Sequence, residues 1–219
     1  MTIDDLKPHI LSRLAHEFKL QFLDALPIDI KNRLLSNGEY ISSTFNNPDI
    51  SNQAAPKYEP DILMDELYKV ASNNGHSVIA KETVPKGHFY THMTTSSCNV
   101  IIVRRNSRNT SKSNFFADQA FLNYGLMEPQ QPDLLDDIVL QNDETPLSSL
   151  LFVYASVYWD REMEMLDFEF ILPHPTEFRP LMVFSLDELR SAAKKPITDI
   201  VWDDIVSYKK RIDQVVSGG

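Results

Sequence analysis

The chain of 219 residues carries a net charge of −10, with 42% hydrophobic and 24% charged residues. This composition argues against a wholly disordered protein, and the length suits one domain with or without a helical appendage. The acidic balance disfavours non-specific binding to nucleic acid and to anionic membranes, and the single cysteine excludes an intrachain disulfide framework.

Helices are predicted for the N-terminal part of the chain. Apolar residues recur at helical spacing over 5–26, and Pro27 is expected to end this helix. We interpret 1–40 as an N-terminal helical segment whose apolar stripe packs either on the sheet or on another chain. Residues 41–60 are rich in Ser, Asn and Pro and are predicted to form a loop or linker, after which a further helix spans 61–71.

The pattern then changes to that of strands. Short apolar runs separated by turn residues predict a three-stranded meander at 77–83, 88–94 and 98–104. A helix is predicted over 114–124. Residues 128–149 contain three prolines and several acids without a lysine or arginine, and they are predicted to form an acidic connector.

The last part of the chain predicts three more strands and two helices. Two strands joined by a short acidic turn are expected over 150–172, followed by a strand over 181–184. Ser185 and Glu188 form a capping box that begins a helix, and a final helix is expected over 199–216. Short connections between neighbouring strands predict an α+β fold with a mainly antiparallel mixed sheet flanked by helices, and the α+β domain is expected to span 61–219.

One pair of carboxylates has a spacing that catalysis would use. Alternation along the second strand of the pair places Asp167 and Glu169 on one face, about 7 Å apart. Two such carboxylates bind Mg²⁺ when a third oxygen ligand joins them; Glu164 and Asp160 lie nearby in the sequence, and Glu82 is a further candidate. The alternative is that the alternation only marks the polar face of a half-buried strand.

A basic segment interrupts the acidic chain at 104–112. Its four cations, with no acid between them, are Arg104, Arg105, Arg108 and Lys112. Arginine clusters bind phosphates and carboxylates, so we interpret the segment as an anion-binding site. It lacks the glycines of a P-loop, and a solvated loop is the alternative.

The histidines and the cysteine do not predict a metal site. His88 and His92 have the i, i+4 spacing of helical zinc motifs, but on a strand that spacing is about 13 Å, which is too far for one metal ion. Cys98 would approach His92 only across a hairpin. We therefore predict no metal site, and no cofactor other than the Mg²⁺ of the catalytic alternative.

The predicted order of helix, three strands, helix and strand over 61–159 resembles the α-β-β-β-α-β core of the restriction-endonuclease-like nucleases. The third strand, CNVIIVRR, does not carry the Glu-x-Lys that defines this activity. The resemblance implies a degenerate, non-catalytic relative, or one whose acids have moved to positions such as Glu82.

Taken together, these features predict a cytoplasmic, non-catalytic interaction protein, regulatory or defence-accessory, of prokaryotic or phage origin. It would act through protein–protein or anion binding, with nucleic acid as a further ligand of 104–112 and no membrane association. Localisation follows from the lack of a signal-peptide core and of a membrane-length apolar run. The alternatives are a Mg²⁺-dependent nuclease or phosphodiesterase and an acidic inhibitor that mimics DNA, so enzymatic activity stays open.

Overall fold

The computed structural model describes most of the chain, namely residues 3–82, 89–105, 119–126, 150–177 and 179–195. Three α-helices, one 3₁₀ helix and six strands are seen in these residues. In chain order they are α1 (Ile3–Thr44), α2 (Pro48–Asn73), β1 (Ser77–Glu82), β2 (Phe89–Thr94), β3 (Cys98–Arg104), the 3₁₀ helix (Phe121–Leu126), β4 (Leu151–Asp160), β5 (Met165–Pro173), β6 (Pro180–Ser185) and α3 (Leu186–Ala193).

The six strands form one mixed sheet in the order β1-β2-β3-β4-β5-β6. Strands β3 and β4 are parallel, and every other neighbouring pair is antiparallel. The predicted α+β fold with a mainly antiparallel mixed sheet and flanking helices is therefore confirmed. The carboxyl ends of β3 and β4 lie at the same edge of the sheet, because parallel strands run in the same direction.

The two faces of the sheet are covered differently. On the face that we call the helix face, strand residues such as Val153, Ala155 and Phe170 join side chains of all three helices in the main apolar core. The opposite face, which we call the second face, carries a smaller cluster around Ile101 and Phe152. Alternation along each strand separates the two sets, as expected for side chains that point to opposite sides.

A buried asparagine fixes the 3₁₀ helix to the sheet. The Asn123 side chain is fully buried. Its Nδ2 donates to the carbonyl oxygens of Phe152 at 2.9 Å and Pro173 at 3.0 Å, and its Oδ1 accepts from the Phe152 N–H at 2.8 Å. These bonds join the segment that leads from β3 to β4 to the strands β4 and β5.

Helix α1 packs on the sheet. The ring of Phe18 lies 5.0 Å from that of Phe170 on β5, and Phe22 lies in the same core. Two helical segments meet at Lys19, which has a φ of 60° and a ψ of 149°. This backbone conformation suits glycine and strains other residues, so the change of direction at Lys19 is maintained by packing on both sides.

The prediction that Pro27 ends the first helix is wrong, because α1 continues to Thr44. A proline in a helix removes the N–H that would bind the carbonyl four residues earlier, here that of Leu23. Arg190 of α3 supplies a donor instead, since its Nη2 lies 3.3 Å from the Leu23 carbonyl oxygen. A tertiary contact therefore offsets the bond that the proline removes.

The prediction of a loop over 41–60 is also wrong, because α2 begins at Pro48. Asn47 caps the helix by accepting from the Asp49 N–H at 2.8 Å, and proline suits the first helical position because its own N–H is not needed there. Ser51 and Ala55 then continue the buried stripe of α2 toward its N-terminus. Small and polar residues that read as a linker thus form the first half of a packed helix.

Of the other predictions, one is confirmed and several concern residues outside the described ranges. The capping box is confirmed: Ser185 Oγ accepts from the Glu188 N–H at 3.2 Å, and Glu188 Oε2 accepts from the Ser185 N–H at 2.7 Å. The connector 128–149, the helix 199–216 and residues 114–118 of the helix predicted over 114–124 lie outside the described residues, whereas residues 121–124 belong to the 3₁₀ helix. Within the described part of the chain, no helix has both the length and the apolar character needed to span a membrane.

Candidate functional site

Six charged side chains lie at the end of the sheet where the parallel strands β3 and β4 end, three on each face. We call this group the charged cluster, and its members are Arg104, Arg105, Arg161, Glu59, Asp167 and Glu169. The arginines come from the end of β3 and from the turn after β4. The carboxylates come from α2 and β5, so the cluster joins elements that are distant in sequence.

Glu59 of α2 holds two arginines on the helix face. Its Oε2 lies 2.9 Å from Arg104 Nε, and its Oε1 lies 2.5 Å from Arg161 Nη2 and 3.0 Å from Arg161 Nε. Glu59 is only 3% exposed, whereas the arginine side chains are 31% and 32% exposed. A buried carboxylate is stabilised only when its charge is compensated, and each of its oxygens lies within ion-pair distance of an arginine.

Arg105 binds the carboxylate pair of β5 on the second face. Its Nη1 lies 2.5 Å from Asp167 Oδ2, and its Nη2 lies 2.7 Å from Glu169 Oε2. Ser156 of β4 faces Glu169 in the strand register, and its Oγ lies 3.4 Å from Arg105 Nε. Burial, with a smaller contribution from Glu169, raises the pKa of the nearby Tyr154, and Arg105 partly offsets this shift.

The two neighbouring arginines thus pair with carboxylates on opposite faces of the sheet. Successive residues of an extended chain point to opposite sides, so Arg104 reaches Glu59 on the helix face and Arg105 reaches the second face. The segment 104–112 therefore does not present its first two cations as one patch. Arg108 and Lys112 lie outside the described residues.

Asp167 and Glu169 lie on one strand face, and both are paired with Arg105. A metal ion at this pair would have to displace a guanidinium group. Glu82 does not join them, because β1 lies four strands from β5, a distance of about 19 Å. Among the described residues, no group of three or more His, Cys, Asp or Glu side chains is placed to hold a metal ion.

Cys98 and His92 are buried on opposite faces of the sheet. Cys98 belongs to the main core on the helix face, where burial raises the pKa of its thiol to about 12. His92 pairs in register with Ile101 of the second-face cluster. Burial, and then the charge of Lys81, lowers the pKa of this imidazole. They therefore form no thiol–imidazole pair, and His88 lies outside the described residues.

Sequence reasoning missed Glu59 and Arg161. The available signal was the position of Glu59, which follows Ala55 and precedes Leu63 by four residues on the buried stripe of α2. A carboxylate on such a stripe requires a cationic partner from elsewhere in the fold. The sequence offers no comparable signal for Arg161, since three of the four residues in the turn between β4 and β5 are charged.

Comparison with known proteins gives no guide to this site: no family model matches the chain, and no curated protein or solved structure matches it.

Proposed function

We propose that the protein is a cytoplasmic, non-catalytic interaction protein that binds an acidic segment of a protein partner at the charged cluster. The carboxylates of that segment would contact Arg104 and Arg161. Regulation or defence of the host cell is the type of role that we assign to such binding.

The observation that carries the proposal is the pair of guanidinium groups held by one buried carboxylate. Arg104 approaches Glu59 through Nε at 2.9 Å, and about a third of its side chain, 31%, stays exposed to a ligand. The three side chains together carry a net charge of +1. Guanidinium groups fixed in this way lose little further entropy on binding, and they favour planar anions such as carboxylates.

The arrangement of Arg105 favours binding over catalysis. A carboxylate pair that serves metal chemistry keeps its oxygens available for the ion. Here the two carboxylates are paired with Arg105 at 2.5 and 2.7 Å. The ion pairs on β5 strengthen the sheet edge next to the proposed binding surface.

The test is a pull-down of the tagged protein from its native lysate, with and without nuclease treatment. We expect a stoichiometric protein partner that survives nuclease and is lost from the Arg104→Lys/Arg161→Lys variant. Lysine keeps a positive charge beside Glu59 but lacks the planar fork of arginine, so the fold is retained while recognition is weakened. Arg179→Lys is the matched control, because the Arg179 side chain is 58% exposed and pairs only with Glu177 among the described residues.

Two results would refute the proposal. One is retention of the same partner by the double variant at the wild-type amount. The other is recovery of nucleic acid alone, lost on nuclease treatment.

A Mg²⁺-dependent nuclease is the second candidate, favoured by one observation. Asp167 and Glu169 lie beside Arg105, so the carboxylate pair and a phosphate-binding cation converge as this function requires. Mg²⁺-dependent cleavage of DNA or RNA that is abolished by Asp167→Asn would establish it. The DNA-mimic hypothesis draws no support from the charged cluster, because all three of its carboxylates face arginines.

A further inference from the structure

A groove runs between the second half of α1 and the adjoining part of α2, with a volume of about 660 Å³. Six of the residues that line it combine aromatic, aliphatic and charged side chains. They are Arg33, Tyr40, Tyr58, Asp61, Ile62 and Asp65. Its volume falls within the range that is typical of ligand-binding clefts, roughly 300–1,000 Å³.

The groove is built from one stripe of each helix. Tyr58, Asp61 and Asp65 follow at intervals of three and four residues, which places them on one side of α2. Glu59 and Leu63 on the other side of this helix are buried against the sheet. The groove therefore opens away from the charged cluster, and a ligand in it would not contact Arg104 or Arg161.

Two tyrosines that line the groove are unusually exposed. Tyr40 has 69% of its surface exposed and Tyr58 has 53%. Tyrosine is enriched among the residues that contribute most to protein–protein binding, since it offers a large rigid surface and a polar hydroxyl. The two rings therefore provide apolar contact area that the fold itself does not use.

The charges of the groove favour a cationic ligand. Asp61 and Asp65 lie one helical turn apart, and no cation lies within ion-pair distance of either among the described residues. Helix α2 carries two lysines: Lys69 pairs with Glu66 and Asp29 instead, and Lys57, four residues before Asp61, is exposed and makes no ion pair with either aspartate. Arg33 also lines the groove, so these three side chains leave a net charge of −1.

We propose that this groove binds a basic segment of a protein partner. A lysine or arginine of that segment would place its cation between Asp61 and Asp65 and its aliphatic stem along Ile62. The rings of Tyr40 and Tyr58 would pack against the neighbouring side chains and contribute cation–π attraction to a second basic residue. Charge complementarity selects this occupant, because an acidic segment would meet two carboxylates.

The test uses a short fluorescein-labelled peptide with two arginines and one leucine, titrated with the full-length protein and read by fluorescence anisotropy. Asp61→Asn/Asp65→Asn is expected to weaken binding by about fivefold to tenfold, the sum of two partly exposed ion pairs. Tyr40→Ala/Tyr58→Ala is expected to weaken it further, whereas Tyr40→Phe/Tyr58→Phe keeps the rings and retains most of the affinity.

The matched control is Glu82→Gln/Asp187→Asn, which removes the same number of negative charges from exposed positions outside the groove. Equal weakening in the control and the aspartate variant would show general attraction to an acidic protein and would overturn the proposal. Preference for the same peptide with glutamates in place of arginines would also overturn it. So would a dimer in analytical ultracentrifugation that dissociates in the aspartate variant, since a second copy would then be the occupant.

Discussion

Glu59→Gln removes the charge that organises the charged cluster while keeping the size of the side chain. Arg104 and Arg161 would then lie at the same positions without a carboxylate between them. Breaking a fully buried ion pair costs about 3–5 kcal/mol. Both arginines are about a third exposed and gain some hydration in the variant, so we expect the free energy of unfolding to fall by about 2–3 kcal/mol.

Urea unfolding followed by circular dichroism measures this change. The comparison holds if the slope of the unfolding free energy against urea concentration is the same in the variant and the wild type. Arg104→Met/Arg161→Met leaves a buried carboxylate with no cation, and it is expected to cost about 3–5 kcal/mol. Adding Glu59→Gln to that double variant should recover part of the lost free energy of unfolding, since the three substituted residues belong to one ion-pair network. Exposed Glu82→Gln serves as the control and should change the free energy of unfolding by less than about 0.5 kcal/mol.

The reasoning would be refuted if Glu59→Gln stayed within about 0.5 kcal/mol of the wild type. It would also be refuted if the three substitutions were additive. Either result would mean that Glu59 does not hold the two arginines, and the binding surface proposed for them would lose its support.

Three further predictions concern the backbone, pH and the thiol. Lys19→Gly should raise the free energy of unfolding by roughly 1 kcal/mol in urea titrations, because glycine adopts a φ of 60° and a ψ of 149° without strain. Hydrogen bonds from Ser185, chiefly from its backbone N–H, lower the pKa of Glu188 below the ordinary 4.5. The carboxylate therefore adds stability above that pH and loses it as the pH falls through the folded-state value, so Glu188→Gln should cost about 0.5–1 kcal/mol at pH 7 and nothing in strong acid. The Cys98 thiol, with a pKa of about 12, should react with Ellman's reagent at neutral pH only as fast as the protein unfolds, and rapid reaction of the folded protein would contradict its burial.

Strands were the part of the fold that the sequence predicted best. Alternation over β5 and the turn residues around β2 and β3 locate them to within a few residues. The parallel pairing of β3 and β4 was harder to foresee, because it depends on how the chain crosses the sheet between 105 and 150. Local periodicity carries no information about such a crossing.

Helix ends were predicted less well, for a physical reason that Pro27 illustrates. A proline costs a helix one hydrogen bond, and local rules treat that loss as final. In this fold Arg190, far away in the sequence, donates to the carbonyl that the proline leaves free. Similarly, Asn47 and Pro48 read as linker residues but form the cap and first turn of α2. Tertiary contacts and capping residues therefore decide where these helices begin and end.

The charged cluster illustrates the same limit at the level of sites. Arg104 and Arg105 were identified because they are adjacent in the sequence, yet their partners come from α2 and β5. The decisive residue, Glu59, stood in a stretch predicted to be a linker, where an acid appears solvated. Its importance depends on burial, which follows only once α2 is seen to pack on the sheet.

Helix α2 therefore connects the two surfaces proposed for binding. Glu59 on its inner side holds arginines toward an acidic ligand, and Asp61 with Asp65 on its outer side face a basic one. The two sites have opposite charge preference, so a single highly charged segment would occupy one of them and be repelled by the other. A partner that engages both must carry separate acidic and basic segments, and neutralising one site should leave binding at the other unchanged.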